Sequence, residues 1–126
     1  MIKFHQIMLY VENQEKIAQF WVEHLNFVIK QNNNDSGVPI IVISDGRENG
    51  TEIVLHDKNL IARYQPELNL GTPSILLSTT QDIDTLYKQF KSKKITVGEL
   101  MTLPTGQQVF NFADPENNYF AIIQAR

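Results

Sequence analysis

Two short apolar stripes at helical spacing, each set among runs that alternate as strands do, confine this chain to folds that mix sheet and helix. The first stripe is Ile17, Phe20, Trp21 and Leu25; the second is Ile83, Leu86, Tyr87 and Phe90. Ahead of the first, the N-terminus alternates: Ile2, Phe4, Met8 and Tyr10 fall on one face, and Lys3, His5, Ile7 and Leu9 on the other. Asn13 is placed to cap the helix, Glu15 suits its positive end, and Asn26 suits a left-handed exit. Three strand-like runs follow: Phe27 to Lys30, Val38 to Ser44 with Pro39 near its start, and Thr51 to His56. The polar run Gln31 to Gly37 and the pair Asp45-Gly46 read as turns.

The second half repeats this order. Ser74 to Ser78 reads as a strand, and Thr79 and Asp82 stand at capping-box spacing ahead of the helix. Acidic Asp82 and Asp84 come early and Lys88, Lys91, Lys93 and Lys94 late, as the helix dipole favours. Strands are expected around Ile95 to Leu100, over Gln107 to Phe112 and over Asn118 to Gln124, with a turn at Asp114-Pro115-Glu116-Asn117. Each half is thus βαβββ, and Phe20-Trp21 recurs as Leu86-Tyr87, 66 positions on. The expected class is α+β: one domain of two modules, 1–56 and 72–126, joined by a connector over 57–71. With helices on one face of each sheet, the other face is free, and two such mixed sheets would curve into a cup.

Composition removes whole classes of function. Eleven basic against 14 acidic residues give a net charge of −3, which argues against nucleic acid as a partner, because phosphate neutralisation drives that binding. Cysteine is absent, so no disulfide, thiolate nucleophile or cysteine metal site can form. No basic-then-apolar leader opens the sequence, and the longest aliphatic run, Ile40 to Ile43, falls far below the ~20 residues of a membrane span. The expected location is the cytoplasm, with no membrane partner. No glycine-rich phosphate loop, Gly-x-Ser-x-Gly or His-Glu-x-x-His occurs.

Three features carry a family resemblance. They are His5 in the first strand, Phe20-Trp21 leading to Leu25-Asn26-Phe27, and the hairpin Phe110-Asn111-Phe112-Ala113-Asp114-Pro115-Glu116-Asn117-Asn118-Tyr119. The hairpin is similar to an aromatic-x-aromatic-x-Asp-Pro-Asp-Gly-Asn signature. Together they resemble the vicinal oxygen chelate superfamily of glyoxalase I, bleomycin-resistance proteins and extradiol dioxygenases. Enzymes of that family hold a divalent metal (zinc, nickel or iron) with one ligand from each of four strands. The resemblance places His5 at the first ligand position, Val54 at the second, Ser74 at the third and Ala121 at the fourth. Ala121 has no donor atom and Ser74 suits transition metals poorly. No metal or other cofactor is therefore expected; if one bound, its ligands would come from His5, Glu52 and His56, with at best one of the last two joining His5.

The candidate ligand-binding residues are His5, Glu52, Val54, His56, Ser74, Glu99 and Ala121. Glu52 and His56 share a strand face by period two, but four residues put them about 13 Å apart, too far for one ion. Ile7, Leu9, Val54 and Leu76 are read as apolar walls, Glu99 as a second-cup acid or base, and His24 as a surface residue. Three readings follow: metal-independent binding of a small apolar or drug-like molecule, a metal-dependent lyase, isomerase or dioxygenase, and an interaction module that lost its site. The family's usual assembly makes a homodimer the expected state.

Overall fold

The computed structural model describes residues 6–33, 39–64, 70–71, 75–103 and 105–125. The chain divides into two compact units, Met1–Pro73 and Ser74–Arg126. In the first, the elements run β1 (Gln6–Val11), α1 (Gln14–Leu25), β2 (Val28–Asn33), β3 (Ile40–Ser44), β4 (Glu52–Asp57) and α2 (Lys58–Tyr64). In the second they run β5 (Leu76–Thr79), α3 (Ile83–Ser92), β6 (Met101–Thr102), β7 (Gln108–Ala113) and β8 (Tyr119–Gln124). The sheets share one plan, β1-β4-β3-β2 and β5-β8-β7-β6. In each, the first strand lies parallel to the last and every other pairing is antiparallel. The class is α+β, two βαβββ modules with mixed sheets. None of the described helices is long and apolar enough to cross a membrane.

The caps explain where the helices stand. Asn13 accepts the Lys16 amide at 3.1 Å, and Asn26 leaves α1 at φ 60°, the left-handed residue expected there. In the second unit, Asp82 caps α3 by accepting the Thr85 amide. Thr79 takes the Gln81 amide instead, so the capping box read from the sequence does not form. From cap to cap the repeat is 69 residues, Asn13 to Asp82, so Trp21 corresponds to Phe90 rather than to Tyr87. Burial agrees: Trp21 and Phe90 are fully enclosed, while Leu86 and Tyr87 are half-buried. The pairing of Phe20-Trp21 with Leu86-Tyr87 fails because α3 has Gln89 where α1 has Phe20, and its one adjacent apolar pair lies a turn earlier, at the place of Ile17-Ala18.

Two other expectations shift. The stretch read as a connector begins with a helix, α2, started by the Asp57 carboxylate, which accepts the Asn59 and Leu60 amides. The strand expected over Ile95–Leu100 is a single bridge, Val97 to Phe112, with the two-residue β6 beyond it. The polar run after Lys30 remains strand as far as Asn33, and β2 absorbs a bulge between Ile29 and Gln31.

Each helix is tied to its sheet by one glutamine. Gln14 donates from Nε2 to the carbonyls of Pro39 and Leu55, at 2.9 and 2.8 Å. Gln124 accepts the Ile83 amide at 2.8 Å and donates to the Thr79 and Gln81 carbonyls. Under α1 lie Leu9, Val11, Ile43 and Leu55, all fully buried with Ile17 and Trp21. Under α3, Phe90 meets Phe110 and Phe112 edge-on, with ring centres 5.6 and 5.4 Å apart.

The β7–β8 hairpin turns on Asp114, a buried carboxylate. It accepts the Glu116 and Asn118 amides and the Asn118 side-chain amide, each at 2.9 Å. Burial pushes its carboxyl above the ordinary carboxylate value, against those three donors. Asn117 holds φ 63°, the position where the signature has glycine. Removing the carboxylate strands buried N–H groups, so Asp114→Ala should cost about 3 kcal/mol in urea unfolding. Asn117→Gly should be neutral or slightly stabilising. Equal stability of Asp114→Ala and the native protein would show that the hairpin does not depend on this carboxylate.

Candidate functional site

The register of β1, β4 and β3 sorts their residues into two faces. Paired residues share a face, so Ile7 with Ile53 and Ile43, and Leu9 with Leu55 and Ile41, form the surface under α1. The opposite, distal face is built from three ranks. Gln6, Glu52 and Ser44 make the first, Met8, Val54 and Val42 the second, and Tyr10, His56 and Ile40 the third. The side chains make contacts that fit this order. Gln6 Nε2 donates to Glu52 Oε1 at 2.9 Å, His56 Nε2 lies 3.1 Å from Met8 Sδ, and the Tyr10 and His56 rings stack with centres 5.6 Å apart.

This corrects one sequence assignment by one residue. Ile7 and Leu9 are not walls of an open face; they lie on the helix-covered side, with Leu9 at 0% exposure. The β1 residues beside Glu52, Val54 and His56 are Gln6, Met8 and Tyr10, which the sequence reading passed over as site residues. One signal did distinguish them. The purely aliphatic set is Ile7, Leu9 and Val11, whereas Gln6, Met8 and Tyr10 all carry a polar or polarisable atom. His5 and Ser74 lie outside the described residues.

His56 has a defined chemistry. A thioether can only accept, so its contact with Met8 requires the hydrogen on Nε2 and leaves Nδ1 as an acceptor. That Nδ1 is buried and has no hydrogen-bond partner among the described residues. Burial lowers the imidazole pKa below its ordinary 6.5, so the ring is neutral at pH 7. β1, β3 and β4 hold no Lys or Arg, so nothing on these strands offsets the Glu52 charge. Val42 and Val54 are the buried floor, and Met8 stands 38% exposed above them.

The second unit's distal face is of another kind. Ala121 lies between Leu76 and Asn111 in register, on the face opposite Phe110, Phe112 and Phe120. Leu76, Met101 and Tyr119 on this face are each more than half exposed. Glu99 lies in the irregular stretch before β6, exposed, rather than in a strand. His24, read as a surface residue, is half-buried against Phe20, with ring centres 5.2 Å apart.

A divalent metal of the family's kind does not fit these residues. Ala121 offers no donor and its neighbours are a leucine and an amide. Glu52 and His56 are four residues apart on β4, about 13 Å, beyond the reach of bonds near 2 Å to one ion. Among the described residues, no three His, Asp or Glu side chains come together to hold an ion.

Solved structures match the chain over nearly its full length. A superfamily member from Sphaerobacter thermophilus DSM 20745 has a TM-score of 0.81 at 25% identity, covering 99% of this chain and 98% of that one. The antibiotic-binding protein TnmS3 from Streptomyces sp. CB03234 has a TM-score of 0.78 at 22% identity, covering 99% and 98%. A lactoylglutathione lyase from Agrobacterium tumefaciens has a TM-score of 0.76 at 15% identity, covering 98% and 93%. The last two likenesses are of fold alone. Among curated proteins, none matches the sequence. The model of one family spans residues 3–122, and the chain belongs to that family, the glyoxalase/bleomycin resistance protein/dioxygenase superfamily.

Proposed function

We propose that the protein binds a small, apolar, ring-bearing molecule on the distal face of β1, β4 and β3, without a metal. The observation that carries this reading is the three-rank face. An apolar middle of Met8, Val54 and Val42 is flanked by one polar rank and one aromatic rank. Few polar groups on an apolar floor are the usual make-up of a small-molecule site. Tyr10 and the neutral His56 offer a stacking surface at one end, and Glu52 with Gln6 offers hydrogen bonds at the other. The fold shared with an antibiotic-binding protein supports the same reading. A metal-dependent lyase, isomerase or dioxygenase would need a donor where Ala121 stands. The absence of cysteine suits a reducing cytoplasm as its place of action.

The ligand is to be found by thermal-shift screening of small aromatic compounds. Tyr10→Ala should weaken its binding by about tenfold, since ring stacking contributes on the order of 1 kcal/mol beyond area burial. His24→Ala should leave it unchanged. Equal affinity in the native and Tyr10→Ala proteins would remove the distal face from consideration.

Acid should act through His56. Folding lowers its pKa, so stability from this group is complete above 6.5 and is lost as pH falls through the lowered value. Urea unfolding at pH 7.5 and pH 5 should show a loss that His56→Phe reduces. An undiminished loss in that variant would mean that other groups carry the acid sensitivity.

The purified protein should hold no stoichiometric zinc, nickel or iron, and should not isomerise the methylglyoxal–glutathione adduct when these are added. It should scatter light as a homodimer, at twice the chain mass of 14.5 kDa. About one tightly held ion per chain, released by Glu52→Ala or His56→Ala, would favour the enzyme reading instead.

A further inference from the structure

We infer that the distal face of the first unit selects cationic ligands: its preferred guest carries a protonated amine that docks on Glu52, with its ring over the middle and aromatic ranks. This rests on the binding reading above and adds the charge of the ligand to it. Glu52 is half-buried, and its Oε1 accepts the Gln6 side-chain amide at 2.9 Å. That bond uses Oε1 and leaves Oε2 as a further acceptor. The third member of the rank, Ser44, is buried, and its hydroxyl oxygen accepts the Gly46 amide at 3.1 Å. The one charged group of the rank is therefore an acceptor, and an ammonium group offers three donors and accepts nothing.

Charge points the same way. None of the three strands holds a Lys or Arg, and the ion pairs among the described residues, Asp45–Arg47 and Asp84–Lys88, do not involve Glu52. A carboxylate partly withdrawn from water and lacking a cation attracts one more strongly than an exposed carboxylate does. An anionic ligand would meet the same carboxylate unscreened.

Spacing sets the shape of the guest. Ranks are two residues apart, about 6.6 Å, so the carboxylate rank and the aromatic rank are separated by about 13 Å. A fused two-ring aromatic with a three-carbon arm bearing the amine spans that distance. The arm crosses at Met8, the exposed member of the middle rank, and the rings reach the stacked Tyr10 and His56.

Three probes with one skeleton test this by titration calorimetry at pH 7: naphthylpropylamine, naphthylpropanol and naphthylpropanoate. The amine should bind the native protein at least tenfold tighter than the alcohol, and the propanoate more weakly than either. Glu52→Gln, which keeps the size of the side chain and an acceptor for Gln6, should erase the preference for amine, bringing amine and alcohol to within about twofold of each other. Added salt should weaken the amine and spare the alcohol. Equal binding of amine and alcohol, or an amine preference that persists in Glu52→Gln, overturns the charge selection. In that case, alcohol binding that still falls in Tyr10→Ala leaves the broader binding reading standing. If none of the three probes binds, both fall.

Discussion

Parallel pairing of the first strand of each module with its last is the constraint on which the rest depends. A parallel neighbour cannot follow through a tight turn, so the chain must first leave the sheet and cross it. In the first unit α1 makes that crossing, and β4 then docks beside β1 with Gln6 opposite Glu52 and Tyr10 opposite His56. Those pairs are 46 residues apart in sequence and become cross-strand neighbours only through this closure. The crossing helix also decides which face of the sheet is covered. Gln14 fixes the choice by donating to the Leu55 and Pro39 carbonyls from the first turn of α1. What remains is one face under the helix and an opposite face that carries Glu52 and His56.

Much of this was legible because it rests on local rules. Asn13 as cap, Asn26 as left-handed exit and the Asp114 turn are each decided by side chains within four residues of the backbone they serve. The strands β3, β4, β7 and β8 stand within two residues of their expected ends, since β-branched and aromatic runs bounded by turn residues leave little choice. The α2 helix was missed because seven residues make only about two turns, too few for periodicity to register. Ile95–Leu100 was read as strand because its residues suit one. The chain there follows β7 through only the bridge at Val97 and two backbone bonds, a tertiary arrangement that propensity does not encode.

The facing of β1 was read in the wrong phase. Alternation has period two, and a shift of one residue exchanges the faces. β1 carries five consecutive residues that can be buried, Ile7 to Val11, so both phases look apolar. Along β4 the same ambiguity did no harm, because Glu52 and His56 mark the less apolar face at either end of Ile53-Val54-Leu55. Pairing with β4 is what settles the phase of β1, and pairing is invisible in a single strand.

The two modules show how one plan can keep its fold and change what its free faces do. Both bury aromatic or aliphatic residues beneath a helix, and that half of each sheet is set by packing. The distal faces differ in what they carry. The register positions around Ala121 hold Leu76 and Asn111, without an ionisable group. Those around Val54 hold Met8 and Val42, and the ionisable groups of that face, Glu52 and His56, stand two residues to either side along β4. A four-ligand metal centre demands donors from several strands at once, so losing one disables it. A face that holds a guest by apolar area and a single charged contact tolerates such loss, because each rank contributes separately. Ala121 and Val54 leave the sheet that carries them undisturbed: small and β-branched residues are at home on a strand face.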